Sequence, residues 1–168
     1  MVANLTFDKK GYEAHWEAVK PIAERGQKIK AKAMAAIDED TEAFNEMMAA
    51  MKLPKKTDEE SAFREDAMQE ATKKAIMVPF QTLELAVKAV ELAAEIAVIG
   101  NSNALSDAGV AAITANAAAQ SAFLNVKINM AGITYDNFKQ EIMSKSEIIL
   151  AKIDKKANII VEDIKSRI

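Results

Sequence analysis

Only five glycines and three prolines punctuate 168 residues, and that scarcity constrains the fold more than anything else in the chain. An all-β domain needs a turn about every 8–12 residues, and tight turns draw on glycine and proline for their backbone angles. There is too little of either here. Alanine, glutamate, lysine, methionine and leucine fill most other positions, and all of them favour helix. The chain is therefore expected to be all-α, an up-and-down helical bundle. Its length suffices for one domain, residues 1–168, with a sizeable core.

Hydrophobic periodicity divides the chain into helices. "MVANLTF", residues 1–7, is apolar from its first residue and reads as the end of a helix that starts further upstream. A helical pattern then runs from Tyr12 to about Ile37, where Pro21 is expected to kink or interrupt it. In "IDEDTEAFNEMMAAM" the apolar face is Phe44, Met47, Met48 and Met51. Thr57 with Glu60 has the spacing of a capping box. It opens a helix that runs to Val78, where Pro79 is expected to bend it or begin a successor. From Phe80 to Ile99 only Glu84, Lys88, Glu91 and Glu95 break an apolar cylinder, the pattern of a mostly buried helix. Ser106–Asn129 is apolar nearly all round. Its ridge of Gly109, Ala112, Ala115 and Ala119 marks either a central helix or the seam of a homodimer, and the apolar helices together favour a homodimer. Thr134 is the expected N-cap of the last helix, whose stripe is Phe138, Ile142, Ile149, Ile153, Ile160 and Ile164.

Composition removes whole classes of function. A net charge of −3 leaves no basic footprint for nucleic acid. No cysteine and a single histidine exclude disulfides, thiolate nucleophiles, cysteine zinc sites and a histidine cluster within one chain. His15, between acidic neighbours, reads as a bystander. The most apolar stretch, Ala108–Val126, carries Thr114, Asn116, Gln120, Ser121 and Asn125, so no membrane span is expected. Asp8, Lys9 and Lys10 argue against a signal peptide, and a cytoplasmic protein is expected. Chemistry must then rest on carboxylates, amides, hydroxyls and lysines.

Four polar groups are candidates, each with a structural alternative. Asp38, Glu39, Asp40 and Glu42 form an acidic run that would also suit a helix start. Asp107 follows Ser106 in "GNSNALSDAG", residues 100–109, where Ser106 or Asn103 would serve as N-cap. That stretch has more polar groups than a helix connection needs, Asn101 among them. Ser121, Asn125 and Asn129 share one helical face and either bond neighbouring helices or line a pocket. Lys52, Lys55 and Lys56 lie in a loop that is ordinarily solvated.

"GNSNALSDAGVAA" resembles the signature of the cyclodeaminase/cyclohydrolase family of tetrahydrofolate enzymes. The likeness continues, in family order, through "DEDTEAFNEMMAAMKLPKKTDEE" (38–60), "VPFQTLELA" (78–86) and "NVKINMAGITYDNF" (125–138). Family members carry a Gly-rich turn and an apolar helix ahead of the segment matching "MVANLTF". The resemblance implies conversion of 5-formiminotetrahydrofolate to 5,10-methenyltetrahydrofolate and ammonia, with no metal or prosthetic group. It implies Asp107 as acid/base and Asp40 as a second carboxylate. Asn101, Ser106 and Asn125 would orient the pterin or the formimino group, and Lys55 and Lys56 would meet a glutamate or polyglutamate tail. A formiminotransferase, fused or separate, is the implied partner. Methenyltetrahydrofolate cyclohydrolase activity on the same scaffold is the alternative, although "MKLPKKTDEE" favours the cyclodeaminase branch. A non-catalytic helical fragment is a third possibility.

Overall fold

The computed structural model describes residues 1–168, and its regular structure is entirely helical, as expected. The α-helices are α1 (Val2–Thr6), α2 (Trp16–Met51), α3 (Asp58–Ile99), α4 (Leu105–Asn129) and α5 (Asp136–Arg167). Single 3-10 turns stand at Glu13–His15, Ser102–Ala104 and Met130–Gly132. No helix is long and apolar enough to cross a membrane.

α3 is the axis of the bundle, packed by α2, α4 and α5. Ion pairs Arg25–Glu95 and Lys74–Glu46 set α2 antiparallel to it. Lys152 reaches Glu91 and Arg167 donates to the Ala97 carbonyl, so α5 runs parallel to it. Val19, Ile76, Leu83, Val90, Val126 and Ile153 are fully buried and come from all four long helices. The small-residue ridge of α4 is spent inside this core. Gly109, Ala112, Ala115 and Ala119 are all buried, and a β-carbon on Gly109 would stand 3.5 Å from Ile164. The ridge belongs to a central helix and cannot be a dimer seam, because α3 and α5 already occupy it.

Neither proline ends a helix. Pro21 lies inside α2 and Pro79 inside α3. A helical proline leaves the carbonyl four residues earlier without its donor. For Pro79 that carbonyl belongs to Ala75, and the Asn129 side chain donates to it at 2.8 Å. Asn129 thus mends the ladder that Pro79 breaks. For Pro21 the freed carbonyl is that of Glu17, an exposed residue open to solvent.

The capping box is present: the Thr57 hydroxyl accepts from Glu60 N, and the Glu60 carboxylate accepts from the Thr57 amide. Other termini differ from expectation. α2 continues through Asp38–Glu42, so the acidic run is mid-helix and exposed. Phe44, Met48 and Met51 are exposed too, because α2 turns Ala43 and Ala50 towards the core instead. Thr134 does not cap α5. Its amide and hydroxyl both donate to Gln69 Oε1, whose Nε2 donates to the Gly132 carbonyl. Buried Gln69 therefore satisfies the turn that Thr134 was expected to close.

Candidate functional site

Walls from α2 and α4, with α1 at one end and α3 as floor, enclose a cleft of about 680 Å³. Ala89, Leu92, Ala93 and Ile96 form the floor; Ile22, Gly26 and Ile29 belong to one wall, Ala108, Ala111 and Ala115 to the other. Against this apolar lining stand five polar side chains, Asn4, Gln27, Lys30, Asp107 and Thr114. Asp107 is the only acid among them and Lys30 the only base.

Asp107 is held where it is by the turn that precedes α4. The Asn101 side chain caps the 3-10 turn by accepting from Asn103 N at 3.0 Å, and donates to the Leu5 carbonyl at 2.9 Å. The Asn101 amide donates to the Thr6 hydroxyl at 2.8 Å, and that hydroxyl donates to the Val2 carbonyl. The Ser102 amide donates to the Tyr12 hydroxyl at 2.9 Å. Hydrogen bonds from the side chain and backbone of Ser102 hold the Tyr12 hydroxyl below the usual tyrosine range. Gly100 is required by close approach: a β-carbon there would stand 2.5 Å from the Ile96 carbonyl oxygen and 2.6 Å from Val2. The start of α4 is thus nailed to the first twelve residues, and Asp107, in its first turn, is left facing the cleft.

The sequence candidates divide accordingly. Asp107 lines the cleft. Asn101 is buried and its amide caps the 3-10 turn; neither Ser106 nor Asn103 caps α4, whose N-cap position is Ala104 with no side-chain cap. Ser106 is exposed beside Asp107. Asn125 is exposed and lies seven residues beyond Ala118 on the stripe of α4 that faces the cleft. Ser121 bonds its own helix at Ala117, and Asn129 bonds Ala75. Asp40 is exposed ten residues beyond Lys30, about 15 Å along α2, and lies outside the cleft. Lys55 and Lys56 precede α3, while Asp107 is near its far end; the 42 residues of α3 span about 63 Å. The structure does not bring these lysines to Asp107. His15 is half-buried, tilted against the Tyr12 ring. No three carboxylate or imidazole groups gather closely enough to share a metal ion.

Thr6, Tyr12 and Lys30 were not singled out from sequence. Tyr12 and Thr6 act across 90 and 95 residues, and no local pattern announces such a partnership.

The formiminotransferase-cyclodeaminase family model matches residues 1–147. The chain belongs to this family. It is 38% identical over 168 residues to a methenyltetrahydrofolate cyclohydrolase of Methylorubrum extorquens, covering all of this chain and 81% of that protein. It is 28% identical over 167 residues to the formimidoyltransferase-cyclodeaminase of Sus scrofa, of which it spans only 31%. The fold matches the crystal structure of a formiminotetrahydrofolate cyclodeaminase from Thermotoga maritima with a TM-score of 0.79 at 28% identity, covering 98% of this chain and 79% of that one.

Proposed function

We propose that this chain hydrolyses the one-carbon bridge of 5,10-methenyltetrahydrofolate to give 10-formyltetrahydrofolate. The observation that carries this reading is Asp107, the one carboxylate in a mostly apolar cleft. The bridge carbon lies between N5 and N10 in a cationic amidinium, and a carboxylate in a low-dielectric cleft attracts such a cation more strongly than it would in water. A cleft of about 680 Å³ lies within the usual range of about 300–1,000 Å³ for small-molecule sites.

The chemistry asks for one acid/base. Water adds to the bridge carbon and gives a proton to Asp107, leaving a neutral carbinolamine. The C–N5 bond then breaks as N5 takes the proton from Asp107. The hydroxyl proton leaves as the formyl C=O forms on N10, so one proton is released overall. Asn101 and Tyr12 act only by fixing the turn. Lys30 is assigned to an anionic group of the substrate, and Lys55, Lys56 and Asp40 have no part in it.

Two identities order the readings. The 38% identity across 81% of a cyclohydrolase favours hydrolysis and reverses the preference that "MKLPKKTDEE" suggested. The likeness to a solved cyclodeaminase keeps a second reading, closure of 5-formiminotetrahydrofolate with loss of ammonia. There the same carboxylate takes the N10 proton and returns it to the leaving nitrogen. A transferase, fused or separate, would supply that substrate. Loss of methenyltetrahydrofolate absorbance above the buffer rate supports hydrolysis, whereas ammonia release from formiminotetrahydrofolate supports closure. A folded protein that does neither overturns both.

A further inference from the structure

The groove on the other flank of α2, away from the cleft, carries charge that the chain leaves uncompensated. α2 and α3 are antiparallel, and their facing positions on this flank recur at seven-residue steps. Arg25 meets Glu95 through both terminal guanidinium nitrogens, and Glu46 meets Lys74. The same register sets Lys32 against Lys88, seven residues on from Arg25 and seven back from Glu95, and sets Glu39 against Gln81. The facing pairs are thus Arg–Glu, Lys–Lys, Glu–Gln and Glu–Lys. Only the second sets like charges together.

Lys32 and Lys88 line two adjoining depressions, of about 240 and 370 Å³, which meet at these lysines and Leu85. Lys28 lines the smaller one, one helical turn from Lys32 on the same face of α2, a like-charge spacing that costs stability. All three lysines are exposed, and none is in an ion pair. The acids of the smaller depression are already engaged. Glu95 is held by Arg25, and Glu91 by Lys152 and Lys156 of α5. Glu39 and Glu84 line the larger depression, and neither is paired with a lysine. Three cations therefore converge without a counter-ion, in a chain whose net charge is −3.

We propose that Lys28, Lys32 and Lys88 form a binding site for a small diphosphate-bearing anion, on the flank of α2 opposite the cleft. The site stands independently of what the cleft binds.

Chemistry selects phosphate over carboxylate. A planar carboxylate is best met by the fork of a guanidinium, whereas lysine serves phosphate as a point charge. The groove has one guanidinium, and it is committed to Glu95. What remains is three ammonium groups, each with three donors on a flexible stem, and they can surround a tetrahedral group from two helices. Lys28 and Lys32 are about 6 Å apart along α2. That spacing suits two linked phosphates, one beside Lys28 and one between Lys32 and Lys88. Ile29, Leu85 and Leu92 supply an apolar wall for whatever the diphosphate carries. An anion seated there replaces a repulsion between α2 and α3 with an attraction to both.

Calorimetric titration of the intact chain with pyrophosphate, at low ionic strength and without divalent metal, tests the site. Sub-millimolar binding is expected, with a rise in melting temperature because the anion favours the folded chain. Lys28→Gln, Lys32→Gln and Lys88→Gln together remove three exposed charges. This triple variant should keep its helical circular dichroism and bind pyrophosphate at least tenfold more weakly. Lys88→Gln alone, at the like-charge pair, should weaken binding at least threefold. Lys55→Gln with Lys56→Gln, a basic pair outside the groove, should bind as the wild type does. A γ-linked triglutamate, which offers carboxylates alone as anionic groups, should bind at least tenfold more weakly than pyrophosphate. Absence of sub-millimolar pyrophosphate binding overturns the proposal. So does undiminished binding by Lys88→Gln or the triple variant, or a loss of binding in the Lys55 and Lys56 variant, since either would place the anion outside the groove. Triglutamate binding as tight as that of pyrophosphate overturns the choice of phosphate.

Discussion

Two long helices in this molecule begin in opposite ways. α3 starts in a solvated loop and satisfies its terminal amides from within five residues, Lys56 and Thr57 bonding to Glu60 and Glu60 back to Thr57. α4 is led in by a turn tied to the interior: the amides of Asn101 and Ser102 donate to Thr6 and Tyr12, and the Asn101 side chain donates to the Leu5 carbonyl, ninety or more residues earlier. The first needs nothing but its own sequence. The second exists only when the chain has closed on itself, and it is the one that presents a carboxylate to a cleft. A helix start fixed from several directions can hold a charged group in one place, whereas one fixed only by its neighbours can fray.

The contrast breaks first at Asp107. Asp107→Asn keeps the shape of the α4 start and removes its charge. Turnover should fall by about 10² to 10⁴ with helical content and melting temperature preserved. Wild-type turnover would reduce the α4 start to a structural device like that of α3.

Asn101→Ala comes next. It removes a donor to Leu5 and the acceptor of Asn103, two bonds at a buried turn, and should cost about 2–3 kcal/mol, read as a lower midpoint in urea. A loss under about 0.5 kcal/mol would mean that the long-range wiring is incidental. Thr57→Ala should cost about 1 kcal/mol and leave turnover untouched, since α3 begins at the far end of the bundle. An activity loss there would join the two starts that the geometry separates.

The smallest effect is one of pH. Lys152, helped by Lys156, holds the Glu91 carboxyl below the usual glutamate range, and Arg25 does the same for Glu95. A depressed carboxylate contributes its full stability above the unfolded value, about 4.3, and loses it as pH falls through the lower folded value. Both side chains are more than a third exposed, so the contribution is discounted to well under about 1 kcal/mol each. Glu91→Gln with Glu95→Gln should flatten the acid side of the stability profile below about pH 4.3. The amides and hydroxyls around Asn101 do not titrate there, so Asn101→Ala should leave that slope unchanged.

Legibility from sequence follows the same divide. The helical class, the Thr57–Glu60 box and the buried stripe of α3 rest on residues within a few positions of one another, and all were readable. The part played by Asn101 was not, because it caps a 3-10 turn that is fixed by Leu5, Thr6 and Tyr12, and α4 begins without the side-chain cap expected of Ser106 or Asn103. Thr134 misled for a similar reason: Gln69, sixty-five residues away, takes its amide and hydroxyl. Asp107 was legible as a surplus polar group, but its cleft was not, since the lining comes from four helices far apart in the chain. Asp40 looked like Asp107 in sequence and differs only in what surrounds it.

The bond between Asn129 and the Ala75 carbonyl has a historical consequence. Asn129 is useful because Pro79 has no amide hydrogen to offer, so the two residues form a dependent pair whose replacement has a permitted order. Losing Pro79 first restores the backbone donor and makes Asn129 redundant, at the cost of a small packing change. Losing Asn129 first strands a partly enclosed carbonyl, a penalty of about 1–3 kcal/mol. A lineage can leave this arrangement by one door and not the other, and the same asymmetry governs how it could have been entered.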